Sequence, residues 1–164
     1  MTRRLIASGL FVFAASALVL SSAPTWAADS RFSQSITDLP LSSLRQDQYS
    51  DAIDAYAAKG QYQKALHVAD LGLRKNPKSA QLKFQRCVVL EKMGDTAQAK
   101  AELERFIRLY PEIPEGYNNL AALLSREGEL DAAETYLKRA LAFRPKFRQA
   151  YVNLGNLYLA RAKA

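Results

Sequence analysis

From residue 46 onward, apolar side chains return at three- and four-residue intervals, the spacing that lines one side of an α-helix. Tyr117, Leu120, Ala121, Leu123 and Leu124 form one such stripe, and Leu130, Ala133, Leu137, Ala140 and Leu141 form the next. Gly128 separates them, as a residue that enters the left-handed turn conformation without a Cβ clash. Pro145 ends the second stripe because it cannot continue a helix. Pro114 opens the first, where its missing N–H costs little. Asp95 followed three residues later by Gln98 has the form of a capping box. The pattern predicts helices at 41–58, 61–74, 80–92, 95–108, 114–126, 129–142 and 148–162.

The helices come in pairs with a fixed period. Gly60, Gly94 and Gly128 are 34 residues apart, as are Ala65, Ala99 and Ala133, and again Pro77, Pro111 and Pro145. A helix pair cannot bury its apolar face alone, so repeats in step predict a stack in which each pair completes the core of its neighbour. The units run over 46–79, 80–113 and 114–147, with a half unit at 148–164 that carries only a first helix.

The residues in phase resemble those of the tetratricopeptide repeat family, whose pattern is an aromatic, Leu-Gly and Tyr in helix A, then Ala, an aromatic, Ala and Pro in helix B. The third unit supplies Tyr117, Leu120-Ala121, Leu124, Ala133, Leu137, Ala140 and Pro145. The half unit supplies Tyr151, Leu154-Gly155 and Tyr158. The first unit puts Ile53 in the small-residue slot, and the second puts Lys83, Arg86 and Cys87 at the aromatic and Leu-Gly positions. The resemblance implies an all-α, right-handed solenoid whose A helices line a concave groove. It also implies that Cys87 is buried where two helices approach.

On this reading the groove is lined by Ser50 and Asp54, then Gln81, Gln85 and Val88, then Glu115, Asn118, Asn119 and Ala122, then Gln149, Val152, Asn153 and Asn156. Side-chain amides donate and accept at once, and so suit an extended peptide backbone. Gln85, Asn118, Asn119, Asn153 and Asn156 are the candidate partner-binding residues, with Asn119 and Asn153, 34 apart, expected as a ladder. Some members of the family grip a C-terminal carboxylate with cations on the inner helices. The comparable places here, Ser50, Asp54, Gln85, Glu115 and Asn119, hold none. Tyr158, with Tyr151 and Leu154, is expected to leave an apolar edge on the half unit. That edge is a candidate for docking a partner helix or for homo-oligomerisation.

The N-terminus reads as an address. Arg3 and Arg4 precede an apolar stretch from Leu5 to Leu20, and Thr25-Trp26-Ala27 places small residues before a cut. Residues 1–27 are therefore expected to be a signal peptide, giving a periplasmic or secreted chain. An uncleaved membrane anchor is the alternative, against which the apolar run is short. Residues 28–45 are expected to be a partly flexible leader that docks through Phe32, Ile36 and Leu39.

Charge adds one feature. The net charge is +7, yet all 16 acidic residues precede residue 135, and Lys138, Arg139, Arg144, Lys146, Arg148, Arg161 and Lys163 follow unopposed. A basic end could face an anionic surface, or simply suit helix C-terminal dipoles. Nucleic acid is not expected as a partner. One histidine, one cysteine and no HExxH, GxSxG or phosphate-binding loop argue against catalysis, metal and cofactors. The function expected is a non-catalytic protein-interaction adaptor. A self-associating or surface-bound scaffold using the C-terminal edge is the alternative.

Overall fold

The computed structural model describes residues 36–37 and 39–163. Those residues form a short 3-10 turn, Leu41–Ser43, and then seven helices. These are α1 Gln48–Ala58, α2 Tyr62–Lys75, α3 Ala80–Met93, α4 Thr96–Leu109, α5 Pro114–Arg126, α6 Leu130–Phe143 and α7 Arg148–Arg161. Each helix packs on the next, and α1 packs on α3 as α5 does on α7. The odd-numbered helices are the A helices of an all-α solenoid.

The period is built into the turns. Gly60, Gly94 and Gly128 all take positive φ, at 70°, 82° and 84°. One residue later the N–H of Gln61, Asp95 or Glu129 reaches back to the carbonyl of Tyr56, Leu90 or Leu124 at 2.9–3.1 Å. This is the repeated helix stop that glycine allows. The Ser79 hydroxyl caps α3 by accepting from Leu82 N–H at 3.3 Å, and the Asp95 carboxylate caps α4 by accepting from Gln98 N–H at 3.2 Å. The return half of the capping box is absent, because Asp95 N–H is already bonded to Leu90.

The core is a row of small residues between large ones. Ala65, Ala99 and Ala133 are fully buried, as expected from their place in the period. Gly72 and Gly116 mark the tightest crossings. A Cβ on Gly116 would lie 2.8 Å from the Phe106 ring and 2.9 Å from Ile107. The buried side chains divide into two clusters. One runs from Ile36 to Val89 and includes Tyr49, Ile53 and Leu82. The other runs from Cys87 to Leu157 and includes Leu103, Tyr117, Leu120 and Leu137. Helix α3 belongs to both, giving Leu82 and Val89 to one and Cys87 and Leu90 to the other.

The first helix departs from the expected span of 41–58. It starts at Gln48, after the 3-10 turn and an extended Leu44 (φ −63°, ψ 129°). Leu44 is buried in the cluster with Tyr49 and Ile53, and Arg45 N–H is held by Gln48 Oε1 at 3.0 Å. Burying Leu44 outweighs the extra helical turn. Of the expected leader contacts, Ile36 is buried, and Thr37 O accepts from Tyr56 Oη at 3.0 Å. Leu39 is exposed rather than docked. Phe32 and the signal segment 1–27 lie outside the described residues. Among the described residues no helix is long and apolar enough to cross a membrane.

Candidate functional site: the concave face of the A helices

Side chains on successive A helices meet in a fixed register. Gln81 Nε2 donates to Ser50 Oγ at 2.6 Å and Gln85 Nε2 to Asp54 Oδ1 at 2.9 Å, both 31 residues apart. Gln85 also donates to Ser50 O at 3.2 Å, Arg126 to Glu91 at 2.7 Å, and Asn153 Nδ2 to Asn118 Oδ1 at 2.9 Å, all 35 apart. Neighbouring A helices are thus offset by a fraction of a turn from the 34-residue period. Asn119 and Asn153, 34 apart, keep equivalent places on successive A helices, and neither is the other's hydrogen-bond partner. Asn153 pairs instead with Asn118, the one buried polar side chain among the described residues.

These amides form a directed chain. Gln149 Nε2 donates to Asn153 Oδ1 at 3.3 Å, Asn153 to Asn118, and Asn118 Nδ2 to Asn119 Oδ1 at 3.2 Å. Asn118 and Asn153 are spent on holding α5 to α7, where a buried amide must be satisfied. Asn119, half-buried, ends the chain as an acceptor.

Two hollows open on this face. Between α1 and α3, about 360 Å³ is walled by Ile53, Ala57, Phe84, Val88 and Val89, with Asp54, Gln81 and Gln85 at its polar side. Gln85 Oε1 is shielded from solvent there and has no hydrogen-bond partner. Desolvation raises the Asp54 carboxyl above its ordinary range, while the Gln85 N–H pulls the other way. Between α5 and α7, about 270 Å³ is lined by Ala121, Ala122, Ser125, Asn153 and Asn156, with Glu91 and Arg126 at its edge. Gln85 and Asn156 each line one of these hollows. Tyr158 lies elsewhere, on the side toward α6, where its Oη donates to Glu134 Oε1 at 2.9 Å.

Several polar clusters carry no signal in the sequence. Arg86, in the slot where the repeat pattern has leucine, lies between Asp70 at 2.8 Å and Glu102, and so ties α2, α3 and α4 together. A further hollow of about 330 Å³ adjoins it on the B-helix side, with Cys87 in its lining. Cys87 is buried as expected, and burial pushes its thiol up to about 12, which keeps it protonated at neutral pH. Lys83 replaces the aromatic of its unit and lays its ammonium over the Tyr110 ring at 5.6 Å. Exposed His67 stands alone, and among the described residues no cluster of His, Cys, Asp or Glu fits a metal ion.

The basic end is partly neutralised. Arg144 pairs with Glu115, Lys138 with Glu134, and Arg161 with both Glu134 and Asp131. Lys146, Arg148 and Lys163 have no ion pair among the described residues. Hydrogen bonds from Lys138, Tyr158 and Arg161 lower the Glu134 carboxyl from its ordinary 4.5 to about 2. A carboxyl depressed by folding contributes stability that is present above 4.5 and lost as pH falls from 4.5 through about 2. The protection factors of α7 amides, taken relative to intrinsic exchange at each pH, are therefore expected to fall over that window, ahead of those of α5. With Glu134→Gln the acid-induced loosening of α7 should flatten. An unchanged pH profile in that variant would refute the role of the cluster.

The paired helices, the glycine stops and the amide-lined concave face define a helical-repeat scaffold that offers a groove to a ligand. Residues 88–146 match the tetratricopeptide repeat family model. The same pair geometry continues on both sides of that segment, so the described residues form an all-α helical-repeat solenoid of three helix pairs and a seventh helix. Solved structures agree on the fold. The first tetratricopeptide domain of human RPAP3 is similar, with a TM-score of 0.66 at 19% identity over 72% of this chain and 93% of that one. The type III secretion translocator chaperone SycD of Yersinia enterocolitica gives 0.64 at 17%, over 71% and 93%. MamA from Desulfovibrio magneticus RS-1 gives 0.61 at 20%, over 72% and 67%.

Proposed function

We propose that this chain is an exported, non-catalytic adaptor that holds a segment of another protein in its concave groove. The observation that carries this is the α1–α3 hollow, with apolar walls and the unpartnered Gln85 Oε1 beside them. An unsatisfied buried acceptor costs about 1–3 kcal/mol. A peptide N–H that reached it as the hollow opened would recover that energy while a large apolar side chain filled the space. Asn119 and Asn156 offer further amide contacts along the same face. Structures with this fold support the reading: the first repeat domain of Spaghetti (RPAP3) is known bound to an HSP90 peptide, and SycD in complex with a peptide of the translocator YopD.

The groove chemistry differs from a site for an acidic tail. Asp54, Glu91 and Glu115 lie along the A helices, and the nearby Arg126 and Arg144 are already paired to two of them. A neutral or basic segment with one large apolar anchor fits better. Export rests on the N-terminal pattern of Arg3, Arg4, the apolar stretch and Ala27, and N-terminal sequencing of the chain recovered from cells tests it.

The groove is tested by placing a photo-crosslinking amino acid at Asn119 in the native cell. The expected result is one discrete foreign adduct, lost when Val88→Lys puts a charge in the first hollow and weakens binding by about tenfold or more. Adducts at background level only would sink the adaptor reading.

A further inference from the structure

The convex side of the stack has two hollows, one between α2 and α4 and one between α4 and α6, at the same place in successive units. Asp70, Lys83, Glu102 and Arg105 of the first stand 34 residues before Glu104, Tyr117, Tyr136 and Arg139 of the second. The first hollow closes its charges on itself, because Arg86 binds both Asp70 and Glu102. In the second, Leu120 takes the place of Arg86 and Tyr136 that of Glu102, so the bridge has no counterpart. Arg108 and Arg139 line this hollow, both exposed, and neither has an ion pair among the described residues. Glu104 is the one acid in the lining and is not within ion-pair distance of either arginine. Two cations against one acid leave the hollow, about 510 Å³, with a net positive charge.

Its donors are held in place. The Arg139 guanidinium lies over the Tyr117 ring at 5.5 Å, and the Tyr136 ring is stacked 6.3 Å from the same ring. Tyr117 is 2% exposed, yet its hydroxyl makes no hydrogen bond to any described residue, and neither does that of Tyr136. A phenol on so buried a ring normally finds an acceptor. Ile107 and Pro111 supply apolar wall beside these donors.

A carboxylate carried next to an apolar group fits this set. It can accept from both guanidiniums and from a tyrosine hydroxyl, while the apolar group lies on Ile107 and Pro111. A dianion fits less well, since Glu104 shares the hollow. The rim is exposed at Arg108, Pro111 and Arg139, so the ligand can continue as a chain. One unit back, Arg105 lines the first hollow, exposed and without an ion pair, and offers a second carboxylate contact. This chain does not itself supply such a segment outside the helices. Residues 1–35 hold Asp29 against Arg3, Arg4 and Arg31, and no acid follows Glu134.

We propose that the hollow between α4 and α6 is a second docking site, for an acidic segment of another protein, with Arg108 and Arg139 holding one carboxylate and Arg105 another. The concave groove, with Asp54, Glu91 and Glu115 along it, is a separate surface of opposite preference, so this site stands or falls independently of the adaptor reading.

Titration of the whole isotope-labelled chain with a short peptide alternating glutamate and phenylalanine, followed by NMR, tests it. The amides of Ile107, Tyr136 and Arg139 are expected to shift, with a dissociation constant of about 100 μM or tighter that weakens as salt rises. Replacing Arg108 and Arg139 together by glutamine should weaken binding by about tenfold or more. Arg74→Gln removes an exposed cation of α2 that lines neither hollow, and should change the affinity by less than about twofold. Circular dichroism checks that the variants keep their helices. An equal loss from Arg74→Gln would reveal general charge attraction and overturn the site. So would the absence of shifts at about 1 mM peptide, shifts that survive replacement of both arginines, or equal binding of the glutamine counterpart of the peptide. Phenylacetate offers the carboxylate and the ring without a chain. If it binds as tightly as the peptide, the hollow takes a small organic acid and the acidic segment is overturned.

Discussion

Replacing Tyr117 by alanine is expected to destabilise the C-terminal half of the solenoid by about 3–5 kcal/mol, the usual range for deleting a fully buried aromatic. Tyr117 is 2% exposed at the start of α5, in the larger buried cluster. Its ring stacks on Phe143 at 5.7 Å and lies 6.3 Å from Tyr136, with the Arg139 guanidinium over its face at 5.5 Å. Removing the ring strands three neighbours at once. They belong to α6, so the α5–α6 contact carries the loss. In a repeat stack stability is close to a sum of local terms, and the Ile36–Val89 cluster need not follow. Urea unfolding followed by circular dichroism should therefore separate into two steps, with only the earlier one shifted. A single transition displaced by less than about 1 kcal/mol would show that the ring is not integral to the core.

Replacing Leu157 by alanine is expected to release α7 as a unit. Leu157 and Ala150 are the only fully buried residues of that helix, and Leu157 is the only large one. Deletion of a buried leucine costs about 2–5 kcal/mol. The rest of its hold comes from buried Ala150, half-buried Leu154, the Asn118–Asn153 and Tyr158–Glu134 hydrogen bonds and the ion pairs of Arg161, of which the exposed polar contacts contribute modestly. The loss is thus comparable to the whole local stability of the helix. Amides of α7 should lose their protection from exchange while those of α5 and α6 keep theirs. Retained protection in Leu157→Ala would mean that the polar contacts anchor α7 by themselves.

What the sequence made legible was whatever repeats. Glycine stops, small core residues and prolines recur at one period, and each is dictated by backbone geometry that no neighbour can override. Cys87 was placed in the core by its slot alone. The start of α1 was not legible, because Leu44 is buried through an extended backbone that the helical spacing hides. The register of facing side chains was missed for a subtler reason. A period reports how far one unit is from the next along the chain, while contacts depend on the offset between helices, which sets pairs at 31 and 35. That offset sets Asn118 against Asn153 at the seam of α5 and α7, a pairing the period alone does not announce. Arg86, standing in a leucine slot between two carboxylates, shows the same limit: its partners are set by how helices stack.

The division of the core has a mechanical consequence. Helix α3 serves both clusters with different sides of one rod, and the A helices on either side of the gap between α3 and α5 are not packed as closely as α1 is on α3 or α5 on α7. Across that gap the groove face is spanned by the pair of Arg126 and Glu91. The stack is therefore expected to be more pliant on the groove face between α3 and α5, while the larger apolar cluster, continuous from Cys87 to Leu157, holds its other side. Tension applied between its ends bends the molecule there first and changes the curvature of the groove before any helix unravels.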